Sequence, residues 1–548
     1  MSLETYSKAE ELAKGQREIS IAEFFERNRH LLGFDNTKKA LLTTVKEAVD
    51  NSIDACEEAD ILPEIIVEIT DMGQDRYKVV VEDNGPGIVK SQIPKIFAKL
   101  LYGSKFHKLK MQRGQQGIGI SASVMYGQLT TGKPAKIISK IGKDRPANYF
   151  ELKINTQKNA PEIIAEKEKE WLKDQGTRIE IDLEAAYMRG KQSVDEYIRE
   201  TAIINPHVTI IYQPPKGDQI TLVRATQEKP KLAEEIQPHP YGVELGMLIK
   251  MLQKTEAKTV KQFLKQDFSR VGDKTAEEIL ENAGVLSKTK CRQVNREMAE
   301  RMIKGIRQTK IMMPPTECIV PIGEEMLEKG LKKEINAEFY TTVSRTPNVY
   351  RGNPFVVEAS LAYGGNIPAE GSMEVMRFAN RVPLLYQQGA CAVTEAITQT
   401  NWKSYGLQQS GNSMPQGPAV LVVHLASVWV PFTSEAKEAI AHYDEIIKEI
   451  KLAVQEVGRN LGKYVGKKRK VKEELKKRSF IETYIPHIAE ALKEIIGFSD
   501  FEEKDVEKLL SELLEKKRGK VDTLEFNPEE NTEYDESLAS IGRENESN

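Results

Sequence analysis

Three short phrases, in fixed order between Glu47 and Ser121, constrain this chain more than any other part of it. The first is Glu47-Ala48-Val49-Asp50-Asn51-Ser52-Ile53-Asp54-Ala55. Leu41, Val45, Ala48, Ser52 and Ala55 fall at steps of three and four, which puts them on one buried helix face. Glu47 and Asn51, four apart, stand one turn from each other on a neighbouring face. A carboxylate and an amide so placed can activate a water and hold a metal ion. Taken alone, the phrase is better explained by an ordinary amphipathic helix with two polar residues in solvent.

The second phrase, Asp83-Asn84-Gly85-Pro86-Gly87, is entered from the strand-like, valine-rich run Arg76–Glu82. Gly85 and Gly87 give a turn with room for a ligand. Asp83 at the strand end offers an acceptor-only carboxylate, which selects a donor such as an exocyclic amino group. A plain loop turn has the same composition. The third phrase, Gly114-Gln115-Gln116-Gly117-Ile118-Gly119, precedes Ile120-Ser121-Ala122-Ser123-Val124, which can start a helix. Backbone N–H groups at such a start point at anions, and glycine lets phosphate approach closely. No Gly-Lys-Ser/Thr follows, so this is not a P-loop, nor does it spell the dinucleotide fingerprint. Only the ordered set of three is specific.

As a set, the phrases resemble the asparagine box and two glycine boxes of the GHKL ATPase superfamily. That superfamily includes gyrase B, the MutL proteins, the heat-shock chaperone ATPases and the sensor histidine kinases. Gly176-Thr177, opening the alternating run Arg178-Ile179-Glu180-Ile181-Asp182-Leu183, is similar to its threonine-bearing strand. The resemblance implies a Bergerat-type α/β sandwich that takes ATP with Mg2+.

At 548 residues the chain is too long for one core and calls for about three to four domains. With 40% hydrophobic and 29% charged residues it reads as globular. No apolar run approaches a membrane span and no secretory signal opens the sequence. Cys56, Cys291, Cys318 and Cys391 have neither metal spacing nor a disulfide framework, which suits a reducing cytoplasm. A net charge of −3 does not announce a nucleic-acid binder, so any such contact must come from local basic patches.

Along the chain, residues 1–35 form an N-terminal arm, dense in apolar residues from Ile19 to Phe34. It either packs on its own domain or, as relatives imply, reaches a dimer partner. Residues 36–230 carry strand-like runs at 65–70, 136–141, 149–154 and 208–212 among helices, a mixed α/β layer. Residues 231–311 turn helical, and Thr275 with Glu278 spells a capping box after the loop that holds Gly272. That turn is either a phosphate-contact device or part of a helical spacer. Residues 312–478 make a second α/β unit with strands at 355–359, 375–381 and 419–425. Pro431-Phe432-Thr433-Ser434-Glu435-Ala436-Lys437 then feeds a long helix. Its stripe Ile440, Tyr443, Ile447, Ile450, Val454, Val457, Leu461 and Tyr464 is core or a partner seam. The basic stretch 463–478 is a solvated face or lies on DNA. The tail 479–548 ends in an acidic, polar segment, 525–548, whose composition predicts disorder.

Three more signatures narrow the resemblance: 24–34 (FFERNRHLLGF), His239-Pro240-Tyr241-Gly242, and Arg377-Phe378-Ala379-Asn380-Arg381-Val382-Pro383-Leu384. With the ATPase phrases and the helical insert, they resemble the archaeal B-subunit family of DNA topoisomerase VI over roughly residues 15–480. The resemblance implies an α/β multidomain chain: a GHKL ATPase domain, a helix-two-turn-helix insert, and a transducer domain ending in the long helix. It implies Glu47 as general base and Asn51 as the residue holding Mg2+. Asp83 would accept from the adenine amino group, with Gly87 beside the base and Thr177 supporting Asp83 through water. Gly114, Gln115, Gln116, Gly117, Ile118, Gly119, Ile120 and Ser121 would wrap the phosphates, with Ser104 and Lys105 at the same pocket. Lys437 would reach the γ-phosphate from the transducer, with Lys403 as a competing charge. The implied activity is ATP-gated double-strand passage that relaxes supercoiled DNA. The implied partners are a DNA-cleaving A subunit in an A2B2 heterotetramer, a second ATPase domain on ATP binding, and double-stranded DNA, with no membrane. A MutL-like mismatch-repair clamp is the alternative, but it lacks the helical insert. A sensor kinase needs a phosphoacceptor histidine, and a chaperone shares only the ATPase part.

Overall fold

Asn36 starts the helix that carries the first phrase. Its side chain accepts the amide of Lys39 at 2.9 Å, a cap that satisfies one of the orphan donors of the first turn. The computed structural model describes residues 18–104, 108–114, 117–434, 436–497 and 499–518, with Lys8, Leu12, Ala13 and Gln16 before them. The short α1 (Ile21–Arg27) precedes α2 (Thr37–Glu58), whose Leu41, Val45, Ala48, Val49, Ile53 and Cys56 are buried. Ala22 and Phe34 of the arm are buried in the same core, so this part packs on its own domain. Residues 1–7 lie outside the described residues.

Among the described residues, eight strands form the first sheet: β1 (Glu64–Asp71), β2 (Arg76–Glu82), β3 (Ala135–Lys140), β4 (Ala147–Asn155), β5 (Ala160–Lys169), β6 (Gly176–Glu184), β7 (Thr209–Gln213) and β8 (Ile220–Leu222). Their order is β5-β4-β3-β6-β2-β1-β7-β8. Neighbours run antiparallel except β1 and β7, which are parallel. Ile179, Ile181 and Leu183 alternate inward along β6, the period of two that a half-buried strand requires. They meet α2, α3 (Ile93–Ala98), α4 (Gly119–Thr131) and α5 (Val194–Ile204) in one core.

The helical insert has its own core, made by α6 (Leu245–Lys254), α7 (Val260–Gln266), α8 (Asp273–Ala283) and α9 (Arg296–Gln308). Its two ends are tied together. His239 Nε2 pairs with the Met312 carbonyl at 2.9 Å, and the Tyr241 hydroxyl donates to the Thr309 carbonyl at 2.6 Å. The expected Thr275/Glu278 capping box does not form. Gly272 is the N-cap, because Asp273 already belongs to the first turn and ion-pairs with Lys261 and Lys265 of α7.

The second α/β unit runs from α10 (Glu324–Glu334) through β9 (Phe339–Ser344), β10 (Asn348–Tyr350), β11 (Asn353–Tyr363), β12 (Glu374–Ala379), β13 (Val382–Pro383), α11 (Ala392–Thr398) and β14 (Ala419–Ser427). The sheet order is β10-β11-β14-β12-β13, with β9 also on β11. β14 is buried at every residue, as a central strand covered on both faces must be. The long helix α12 spans Asp444–Ile496 and is followed by α13 (Asp500–Arg518). Ile440 and Tyr443 precede this helix, since Ile440 pairs with Phe432 in an antiparallel bridge. Of the rest of the stripe, Ile450, Val454, Val457 and Leu461 are core of this second unit and not a partner seam, Ile447 packs against that core, and Tyr464 is buried against Phe339. The helix continues through the basic stretch and past 478. Lys468 pairs there with Glu338, and Arg478 with Glu482. Residues 519–548, and with them the acidic tail, lie outside the described residues. No helix among the described residues is long and apolar enough to cross a membrane.

Candidate functional site

Where α2, the end of β2, the start of α4 and two loops of the second α/β unit converge, they enclose a cavity of about 570 Å³. That is within the range that holds a nucleotide-sized ligand, about 300–1,000 Å³. Its walls include Glu47, Asn51, Asp83, Gly87, Ser104, Gly114, Gly117, Ile118, Gly119, Ile120, Thr177 and Lys437. Ser121 is not among them: it donates to the Ile118 carbonyl at 2.9 Å inside the first turn of α4. Lys105, Gln115 and Gln116 lie outside the described residues.

Asp83 closes the inner end. Its Oδ1 accepts the amides of Gly85 at 2.9 Å and Thr177 at 3.0 Å, and its Oδ2 accepts the Ser52 hydroxyl at 3.0 Å. Burial pushes its pKa up, against the pull of those hydrogen bonds. Thr177 supports Asp83 directly through its backbone N–H. Its hydroxyl is instead 3.0 Å from Ser139 Oγ. Ser52, which the sequence marks only as part of a buried helix face, is a donor to this carboxylate. Asn84 pins the turn by donating to the Leu62 carbonyl at 3.0 Å and accepting the Glu64 amide at 2.8 Å. Gly87 is left-handed, with φ 71°, and a Cβ on it would sit 2.1 Å from the Lys140 carbonyl oxygen. Only glycine fits.

Glu47 lies against the N-terminus of α4. A Cβ on Gly119 would come within 1.7 Å of Glu47 Oε2, so the glycine makes room for the carboxylate. Asn51, one turn along α2, is exposed at the cavity. Among the described residues no cluster of three His, Cys, Asp or Glu side chains could hold a metal alone. A Mg2+ ion suits the site all the same, because Mg2+ is commonly held by one or two protein oxygens plus substrate phosphates and water.

Asp50 carries no signal in the sequence beyond its place in the first phrase. It is buried, accepts the Tyr197 hydroxyl at 2.9 Å, and is pushed up to about 7 by burial, with Glu47 adding to the shift. Because its folded pKa exceeds its unfolded one, folding takes up a proton here between about pH 4 and 7. The contribution of Asp50 to stability therefore falls as pH rises through that window and is level above it. Asp50→Asn removes the slope, so its melting temperature relative to wild type should rise from about pH 5 to about pH 8. A constant difference across that range would show that Asp50 does not titrate on folding.

The second α/β unit supplies the outer wall. Lys437 sits on a loop closed by the Phe432–Ile440 bridge, with left-handed backbone (φ 54°), and not at a helix start. Its Nζ donates to the Arg113 carbonyl at 3.1 Å. Burial holds its pKa below the usual lysine value, while Glu47 pulls the other way. The neighbouring Glu438 pairs with Lys39 of α2, which fastens this loop to the first domain. Lys403 is exposed on a separate turn and does not line the cavity.

Among known proteins, residues 36–186 match the family of histidine kinase-, DNA gyrase B- and HSP90-like ATPases. Residues 314–477 match the transducer of the topoisomerase VI B subunit. The B subunit of type 2 DNA topoisomerase 6 from Methanococcoides burtonii is 52% identical over 489 residues, covering 89% of this chain and 79% of that protein. Its namesakes in Methanosarcina barkeri and Archaeoglobus fulgidus are 51% identical, over 91% of this chain and 80% of theirs, and 50% identical, over 88% and 80%. A solved N-terminal domain of a DNA repair protein aligns at 14% identity with a TM-score of 0.38, covering 79% of this chain and 97% of that one, a likeness too weak to carry an argument.

Proposed function

The chain belongs to the B-subunit family of type 2 DNA topoisomerase 6, and on that premise we propose that the cavity binds ATP and Mg2+ and that its hydrolysis gates double-strand passage by a separate, DNA-cleaving A subunit. The chain is thus the ATP-hydrolysing half of a DNA topoisomerase, working inside the cell. The mismatch-repair alternative is not favoured, because a topoisomerase VI B-subunit transducer follows the helical insert. One observation carries the reading: Asp83, Glu47 and Lys437, from two domains, face one cavity between the end of β2 and the start of α4.

The buried Asp83 carboxylate selects the adenine amino group, because its acceptor capacity is only partly used by Ser52, Gly85 and Thr177. Backbone N–H groups at the start of α4 favour phosphate. Glu47 takes the proton of the attacking water. Asn51 would hold Mg2+, which would supply charge neutralisation for the phosphates. Lys437 places a second cation at the γ end. Lys105, Gln115, Gln116 and Ser104 complete the phosphate contacts in this proposal. Two such subunits close on each other when ATP binds, in an A2B2 assembly, and the transducer passes the motion along α12 to the A subunit and its DNA.

Mixing the chain with an A subunit and supercoiled plasmid tests the whole reading, with relaxation expected only when ATP is present. ATP-independent relaxation, or none at all with an active A subunit, would sink it. Asp83→Asn tests the base pocket. Its amide can still accept from Gly85 and Thr177, so the fold should hold, but a donor now faces the adenine amino group. Such a mismatch costs about 1–3 kcal/mol, so ATP affinity should fall roughly 10- to 100-fold. Unchanged affinity in a nucleotide titration would take Asp83 out of the site.

A further inference from the structure

The segment that leads into the glycine phrase is gripped from two sides. On its own domain Arg113 donates to Asp54 at 2.8 Å, to Glu57 at 2.6 and 2.7 Å, and to Asn205 at 2.6 Å. Arg113, Asp54 and Asn205 are buried and Glu57 is partly so; burial alone would raise the Glu57 carboxyl, but the Arg113 guanidinium holds it well below the usual carboxylate range. From the other side, the second α/β unit and the strand-free stretch before it take three successive backbone groups. The Met111 amide donates to the Cys318 carbonyl at 2.8 Å. Asn380 Nδ2 donates to the Gln112 carbonyl at 3.0 Å, and Lys437 Nζ to that of Arg113. The side chain of Gln112 has both polar atoms buried and unpaired among the described residues, so it is the backbone that is held.

Asn380 is itself fastened at the end of β14. Its Nδ2 also donates to the Ser427 carbonyl at 2.9 Å, and its Oδ1 accepts the Ser427 amide at 2.9 Å. Asn380 and Arg381 both have left-handed backbone, φ 48° and 63°, a region that asparagine tolerates but that an arginine seldom adopts unless its surroundings impose it. Here the Arg381 amide donates to His424 Nε2 at 3.0 Å, so the imidazole proton sits on Nδ1, facing Glu358 at 2.8 Å. Glu358 in turn accepts the Ile322 and Gly323 amides at 2.9 and 2.7 Å. Burial favours the neutral imidazole that this arrangement needs. The turn is therefore rigid, and its Asn380 reaches out to the first domain. Beyond Arg113 comes Gly114, on which a Cβ would stand 3.7 Å from Asn51 Oδ1.

We propose that Asn380 is a positioning residue for ATP hydrolysis: by holding the Gln112 carbonyl it fixes how the glycine phrase enters the cavity opposite Asn51, and it ties that placement to the end of β14. Lys437 holds the next carbonyl, that of Arg113, and Asn380 keeps the segment in register with the transducer sheet when Lys437 turns to a phosphate oxygen. This rests on the ATPase reading above.

Asn380→Gly removes this hold while keeping the left-handed backbone free of strain. Asn380→Asp keeps the acceptor for the Ser427 amide and the tolerance of positive φ, but as a carboxylate it can donate neither to Gln112 nor to the Ser427 carbonyl. Both are assayed as full chains with the A subunit and DNA. A wild type that neither binds nor hydrolyses ATP means that the ATPase reading itself has failed. With an active wild type, ADP affinity and the KM for ATP should stay within about threefold in both variants. Their kcat should drop about 10- to 100-fold, the effect of a small misplacement. A kcat within about twofold of wild type, or ADP affinity falling in step with kcat, would each overturn the proposal. If Asn380→Gly does not fold, Asn380→Asp gives the same readings.

Discussion

Alanine at position 47 is expected to leave ATP bound while hydrolysis nearly stops. A positioned general base contributes about 10²–10⁴ in rate, and Glu47 is the carboxylate of α2 that faces the cavity beside the start of α4. The contacts that hold the nucleotide lie elsewhere: Asp83 at the adenine end, Asn51 and the glycine phrase at the phosphates. The neighbouring Asp50 offers no substitute base, since it is buried against Tyr197 and does not line the cavity. Hydrolysis measured at saturating ATP, together with a nucleotide titration, separates the two effects. If Glu47→Ala loses affinity as Asp83→Asn does, Glu47 is a binding residue and the water must be activated by another group.

The parts of this site that the sequence reveals are those whose chemistry repeats with the helix or ends a strand. Glu47 and Asn51 can be placed because α2 has a continuous apolar face, and Asp83 because β2 stops sharply at a Gly-rich turn. Their geometry identifies neither ATP nor a topoisomerase; the family resemblance does that. Residues that act by supporting others are harder to find. Ser52 looks like filler in a buried face until β2 brings Asp83 above it, and Thr177 works through its amide, which carries no side-chain signal. The strand β5 escapes sequence reasoning because it lies at the sheet edge and is mostly exposed, so its residues show no inward alternation. The sequence pattern starts α12 too early because Ile440 and Tyr443 happen to continue its spacing. Both serve a different purpose: they anchor the loop that delivers Lys437, and the Tyr443 ring lies tilted against that of Tyr350, 4.3 Å between centroids. The bond from Asn380 to Gln112 joins residues 268 apart in sequence, a contact that no local pattern encodes.

The later start of α12 also changes the case for Lys437. At a helix N-terminus a lysine would be electrostatically misplaced, which would be one reason to look for an anion opposite it. The structure removes that reason and supplies stronger ones. Lys437 holds a left-handed backbone in a loop closed on both sides, its Nζ points inward to the Arg113 carbonyl, and Glu47 is among the charges nearest to it. A flexible ammonium at the entry of the glycine phrase can exchange a carbonyl for a phosphate oxygen with little movement of its stem. In phosphoryl transfer, a cation supplied from a second domain can be worth roughly 10³–10⁵ in rate. Lys437→Ala is accordingly expected to lower ATP hydrolysis by about 10³-fold while changing ADP affinity little, and to abolish ATP-dependent relaxation with the A subunit. Lys437→Arg should recover only a small part, because a planar guanidinium cannot replace a compact charge inside a closed loop. Lys403→Ala, on its exposed turn, should leave hydrolysis without DNA at the wild-type rate. Wild-type hydrolysis and relaxation in Lys437→Ala would show that the transducer reaches the nucleotide by some other group.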